Sequence, residues 1–156
     1  MFNSSKIASI VVGFSKLDVS KILNAVEIWA KQPEIYAVVL VGSWARDRAH
    51  ENSDLDLMIL TPNPDLFFQD TTWFNSIPWC DLGSFKIDTY YDRVYGVVKS
   101  RHLCFQQGQR IEFSFGDPSW ASIDLIDPGT LAVVSSGIRI ISDRYKLLET
   151  LVAAIA

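Results

Sequence analysis

A single α+β domain built on one mixed β-sheet is predicted by three observations on the 156-residue sequence. An amphipathic helical pattern at 18–32 is followed by two apolar, strand-like runs at 35–41 and 54–61. After a second helical stretch, the segment from 85 to 115 becomes β-rich and alternates polar with apolar residues. A helix, two strands, a helix and then strands joined by a hairpin-length turn specify a mixed sheet with helices packed mainly on one face. The length fits one domain, 1–156, which buries roughly 70% of its unfolded surface and needs no disulfide or structural metal to fold.

Each element has a local reason. Val19, Ile22, Leu23, Val26 and Trp29/Ala30 recur on one helical face, with Asp18 as the expected N-cap and Pro33 just past the end. The run at 35–41 is nearly all apolar and Val-rich, as in a buried strand, and Gly42 ends it. A short helix is expected over 43–49, then a strand over 54–61 closed by Pro62-Asn63-Pro64. Asn63 as N-cap and Pro64 in the first turn start a helix running to about 75. A loop at 78–83 precedes strands at 85–91, 94–106 and 109–115, with Gln107-Gly108 as the hairpin turn between the last two. Helical residues at 131–134, a strand at 138–141 and a helix at 144–155 complete the chain, which has no internal repeat or low-complexity segment.

Composition excludes several classes of function. The sequence is 49% hydrophobic and 21% charged, with a net charge of −4. That balance suits a globular protein and argues against an electrostatic nucleic-acid or acidic-membrane binder. Cys80 and Cys104 form no CxxC, and His50 and His102 form no His-x3-His, which argues against zinc. The cysteines read as buried thiols, in keeping with a reducing cytoplasm, and the histidines as structural or surface residues. The apolar run at 7–12 is too short for a secretory signal, and no stretch has the length of a membrane span.

The chemistry concentrates between Val41 and Leu60, in VGSWARDRAHENSDLDLMIL. Gly42 lets the backbone bend sharply and approach a ligand closely. Ser43 follows at an expected helix N-terminus, where free N–H groups favour a phosphate. Asp54 and Asp56 lie two apart on a strand and so share a face, while Leu55 and Leu57 point into the core. Paired carboxylates are costly to keep ionised without a cation, and oxygen ligands of this kind suit Mg²⁺. A third carboxylate is sought in Arg110-Ile-Glu-Phe-Ser-Phe115, where Glu112 sits mid-way along the polar face. Asp88 is the competitor, and Glu112 is preferred. Arg46 is a candidate charge partner for a phosphate or for the acids. Arg48, Arg93, Lys99 and Arg101 are read as solvated, and the aromatic residues mostly as core.

Gly42-Ser43-Trp44-Ala45-Arg46, followed by Ser53-Asp54-Leu55-Asp56-Leu57, resembles the nucleotidyltransferase domain of the DNA polymerase β superfamily, in its minimal and antibiotic-modifying branches. The resemblance is tight over about 20 residues and extends loosely from the helix at 18 to Phe115. Asp47 departs from it, standing where many members have Gly. The resemblance implies a nucleotidyltransferase fold that moves a nucleoside monophosphate from an NTP to an acceptor hydroxyl, with pyrophosphate leaving. It implies that Gly42, Ser43 and Arg46 meet the nucleotide phosphates. Asp54, Asp56 and Glu112 then hold two Mg²⁺ ions that clamp the attacking and leaving oxygens of an in-line displacement. The acceptor is expected to be a small molecule or a protein. Only 44 residues follow Glu112, so a homodimer or a helical partner protein is expected to complete the acceptor surface. The alternatives are an antitoxin-type minimal nucleotidyltransferase acting mainly through a partner, and a catalytically silent nucleotide-binding module.

Overall fold

The computed structural model describes residues 13–50, 53–79 and 86–156. The apolar run at 7–12, Cys80, most of the expected loop at 78–83 and the expected strand start at Phe85 lie outside the described residues.

Helix α1 (Lys16–Trp29) buries Val19, Ile22, Leu23, Val26 and Trp29, as their spacing predicts. Its N-cap is Ser15 rather than Asp18. The Ser15 hydroxyl accepts from the Asp18 amide at 3.0 Å, and the Asp18 carboxylate accepts from the Ser15 amide at 3.2 Å. This capping box places Asp18 inside the first turn. Lys16 and Leu17 are exposed and add nothing to the apolar stripe, which hides the true start from periodicity.

Six strands form one mixed sheet. They are β1 (Ala37–Val41), β2 (Leu55–Leu60), β3 (Ile87–Tyr95), β4 (Val98–Phe105), β5 (Arg110–Gly116) and β6 (Arg139–Asp143), in the order β3-β4-β5-β2-β1-β6. Only β2 and β5 pair in parallel; the other neighbours are antiparallel. A single turn, α2 (Gly42–Ala45), links β1 to β2 and is shorter than expected. Helix α3 (Pro64–Gln69) and a 3₁₀ turn (Trp73–Ser76) replace the one helix expected to 75. Asp70 breaks it: its backbone is extended and its carboxylate accepts from both the amide and the hydroxyl of Thr72 at 2.7 Å. A second 3₁₀ turn (Pro118–Ala121), α4 (Pro128–Ser136) and α5 (Leu147–Ile155) close the fold. No helix among the described residues is long and apolar enough to cross a membrane.

Two turns differ from expectation. The sequence suggests a break between 91 and 94, yet β3 runs unbroken to a two-residue turn at Gly96-Val97, with Gly96 at φ 62°. Between β4 and β5 the loop has three residues, Gln106-Gln107-Gly108, rather than two. Phe105 N donates to Gln109 O and Gly108 N to Phe105 O, both at 2.9 Å, with Gly108 at φ 94°.

The sheet has two different faces. Leu55, Leu57 and Ile59 of β2 join Ile111, Phe113 and Phe115 of β5 in the larger core, beneath α1, α3 and the first 3₁₀ turn. Arg101 also faces this side and, contrary to expectation, is only 1% exposed. It donates to both Asp92 carboxylate oxygens (2.9 and 3.1 Å) and to the carbonyls of Phe68 (2.7 Å) and Asp70 (2.6 Å). On the other face, Ala37, Val39, Met58 and Leu60 pack in a smaller core against Val134, Leu148 and Leu151. That core stops short of the starts of β2 and β5, where this face turns polar.

Candidate active site

The polar end of the second face is built by strand register. Val41 pairs with Asp56, Asp56 with Glu112, Glu112 with His102, and His102 with Tyr91. Directly paired residues point to the same side of a sheet. A transverse row therefore runs Asp56, Glu112, His102, Tyr91 across four strands. His102 Nε2 lies 2.8 Å from Glu112 Oε2, and its ring stacks on Tyr91 with centroids 4.5 Å apart and an 8° interplanar angle. Ser114, next along β5 on the same face, has its hydroxyl 3.4 Å from Glu112 Oε1 and 2.7 Å from the buried Ser100 hydroxyl. Asp54 precedes β2 and accepts from Arg110 Nε at 3.0 Å. The competitor Asp88 lies exposed on the edge strand β3, with β4 and β5 between it and β2.

Asp56 bears the electrostatic cost of this arrangement. Burial, then the neighbouring Glu112 and Asp54 carboxylates, push its carboxyl up to about 7 from 3.8; Arg110 and Arg46 pull in the opposite direction. Gly42 lies against the same carboxylate: a Cβ there would collide with Asp56 Oδ2, and its φ of 75° already favours glycine. The turn that would meet a phosphate and the acid that would hold a metal are thus packed together. Ser43 follows in α2, its carbonyl accepting from the amides of Arg46 (3.2 Å) and Arg48 (2.9 Å). Arg46 runs its stem against Gly137 at the end of α4, where a Cβ would sit 3.3 Å from Arg46 Cγ. Asp47 adopts φ 54°, the left-handed conformation that glycine takes freely and Asp tolerates better than most residues. Its departure from the family pattern therefore leaves the turn intact.

The structure brings Asp56, Glu112 and Gly42 together and holds Asp54 beside them on Arg110. The donor set is all carboxylate oxygen and suits Mg²⁺. The raised carboxyl of Asp56 reflects burial first and the neighbouring Glu112 and Asp54 carboxylates second. Among the described residues no three His, Cys, Asp or Glu side chains already converge tightly enough to hold a metal ion. Asp54 gives one carboxylate oxygen to Arg110. Sequence reasoning placed neither His102 nor Tyr91 beside Glu112. The only signal for them was the length of the 106–108 turn, which sets what stands opposite Glu112.

A cleft of about 760 Å³ opens on this face beside Glu112. Met58 and Ser114 line it from the sheet, Tyr95 and Val98 from the β3–β4 hairpin, and Trp120 and Val133 from the C-terminal segments. Its charged lining residues are Glu112, Asp117 and Asp127, and no Lys or Arg is among the described residues that line it. Asp117 and Asp127 are also N-caps, accepting from the amides of Ser119 (2.9 Å) and Thr130 (3.0 Å).

Residues 19–99 match the family model of the nucleotidyltransferase domain. The chain belongs to that family. The match spans Gly42, Ser43, Asp54 and Asp56 and ends before Glu112, which strand pairing sets beside Asp56. Among solved structures, this nucleotidyltransferase domain is similar to Cid1 in complex with the UTP analogue UMPNPP: 16% identity, 67% of this chain and 32% of that one covered, TM-score 0.45. It is also similar to the non-canonical poly(A) polymerase complex GLD-2–GLD-3: 15% identity, 72% and 38% covered, TM-score 0.40. A toxin–antitoxin structure with AMP-PNP aligns over 91% of this chain and 84% of that one, at 14% identity and TM-score 0.38. The chain spans about a third of the length of the Cid1 structures it matches. No curated protein matches it.

Proposed function

We propose that this domain transfers a nucleoside monophosphate from an NTP to an acceptor hydroxyl, with pyrophosphate leaving. The observation that carries the reading is the direct pairing of Asp56 with Glu112, with Gly42 packed against the Asp56 carboxylate. Asp54, Asp56 and Glu112 are the residues that would hold Mg²⁺. When bound, Mg²⁺ supplies charge neutralisation at the transferring phosphoryl group and acidifies the acceptor hydroxyl. The backbone at Gly42 and Ser43 receives the phosphates, with Arg46 as a nearby cation. Glu112, at the edge of the cleft, accepts the proton of the acceptor hydroxyl.

The cleft supports a class of acceptor. Beyond Glu112 its charged lining is Asp117 and Asp127, with no lysine or arginine among the described residues, so nothing there balances the charge of an acceptor phosphate. Apolar and aromatic walls at Met58, Val98, Tyr95 and Trp120 suit an uncharged or cationic body. The acceptor is therefore a hydroxyl-bearing small molecule or protein side chain rather than a nucleic-acid end.

The test is pyrophosphate release from each of the four NTPs with Mg²⁺, in the presence of neutral, cationic and oligonucleotide acceptors. Wild type should turn over, while Asp56→Ala and Glu112→Ala should fall by at least about 100-fold, the scale on which positioned acid–base groups act. Equal turnover in the variants would remove the acidic residues from the mechanism. NTP binding without turnover on any acceptor would favour the silent module, and activity restored only by a co-expressed helical protein would favour the partner-dependent form.

A further inference from the structure

We propose that His102 is a positioning residue for Glu112, fixing the carboxylate against the sheet so that its remaining lone pairs face the cleft. The inference rests on the proposed role of Glu112. Four observations carry it. His102 is 7% exposed and sits directly opposite Glu112 in the β4–β5 ladder. Its Nε2 is 2.8 Å from Glu112 Oε2, close enough to pair but off the line of a hydrogen bond, and this buried nitrogen has no other partner among the described residues. Its ring is clamped in turn by the stack on Tyr91, over which the Arg93 guanidinium lies at 4.7 Å. Glu112 lines the cleft and His102 does not, so the imidazole meets the carboxylate from the β4 side, outside the cleft.

A glutamate on a strand has three side-chain torsions to lose before it can act in one geometry. The Nε2 of a ring held by stacking, 2.8 Å from Oε2 though out of hydrogen-bond alignment as it stands, restricts that freedom, and the Ser114 hydroxyl near Oε1 adds a weaker restraint. The arrangement parallels the outer partners that orient metal ligands, whose loss typically costs about 10–100-fold in metal affinity or activity. His102 touches neither phosphate nor acceptor in this reading and acts wholly through Glu112.

The test separates the donor from the ring. His102→Phe keeps a ring to stack on Tyr91 and loses the donor. His102→Gln keeps a donor that reaches as far as Nε2 and loses the ring. Mn²⁺ affinity of the protein without nucleotide, by calorimetry or electron paramagnetic resonance, is the first readout; kcat and KM for NTP are the second. H102F should bind Mn²⁺ about tenfold or more weakly and lose kcat with little change in KM for NTP, while H102Q recovers to within about threefold of wild type. In a Glu112→Gln background, H102F should change Mn²⁺ affinity no further. If H102F does not fold, His102→Asn, whose amide falls short of Glu112, takes its place in the comparison. Wild-type Mn²⁺ affinity in H102F, or H102Q no better than H102F, would overturn the proposal. Absence of turnover in wild type would count against the function proposed above and leave the Mn²⁺ comparison to decide His102.

Discussion

Replacing Asp56 with Asn should stabilise the metal-free protein at alkaline pH and blunt its response to Mg²⁺. The Asp56 carboxyl is pushed from 3.8 up to about 7, first by burial and then by Glu112 and Asp54. A carboxyl with a raised folded pKa makes the native state bind the proton more tightly than the unfolded chain does. Stability therefore falls as pH rises from about 4 to 7 and stays low above that window. About three pK units at 1.36 kcal/mol each set a ceiling of about 4 kcal/mol. Asp56 keeps partial contact with solvent, and screening brings the expected effect to about 2 kcal/mol. For a domain of this size that is about 4–8 °C in Tm. Thermal unfolding of wild type and D56N in chelator should show the variant more stable by that margin at pH 8, with the gap shrinking towards zero near pH 4. Millimolar Mg²⁺ at pH 8 should raise the wild-type Tm and leave D56N nearly unmoved. A D56N protein no more stable than wild type at pH 8, with an undiminished Mg²⁺ shift, would refute the reasoning that burial and neighbouring carboxylates strain Asp56.

Three further outcomes follow from the geometry. Gly42→Ala should cost about 1–2 kcal/mol in urea unfolding, since φ 75° is unfavourable for Ala and the new methyl collides with Asp56; it should also abolish the Mg²⁺-dependent Tm shift. Asp47→Gly should gain up to about 1 kcal/mol by relieving the left-handed backbone at φ 54°, with NTP turnover retained. Arg101→Met should lose about 3–5 kcal/mol in urea unfolding, because Asp92 and the Phe68 and Asp70 carbonyls lose their buried partner. Arg101 points to the opposite face from the acids, so the Mg²⁺ shift should persist in the folded fraction.

Much of this fold was legible because single residues carry period and parity. Val19, Ile22 and Val26 announce α1 whatever packs on it. Asp54 and Asp56, with Leu55 and Leu57 between them, announce which face of β2 is polar. Glu112 was legible for the same reason, since Ile111 and Phe113 flank it. Arg101 was not. Nothing local separates a guanidinium in water from one satisfied by two main-chain carbonyls more than thirty residues away, because its partners come from tertiary structure alone. Ser15 was hidden because the capping box leaves only the Ser-x-x-Asp spacing and no periodic trace.

His102 shows most sharply how a site can turn on one residue of spacing. A two-residue turn at Gln107-Gly108 would pair His102 with Phe113 and leave Glu112 opposite Leu103. The observed turn takes in Gln106 as well, and Gly108 accepts the φ of 94° that such a three-residue loop demands. The register moves by one, and a one-residue slip exchanges the faces of a strand. His102 therefore leaves the apolar core face and lands beside Glu112, while Leu103 takes the core position opposite Ile111. The apolar alternation of β4 tolerates this register, because Leu103 and Phe105 both point into the larger core while Ser100 and His102 meet Ser114 and Glu112. Burial thus selects the register, and the register assembles the row from Asp56 to Tyr91. Gly108 and Leu103 make no contact with substrate in this scheme, yet they determine which side chain stands behind the acid.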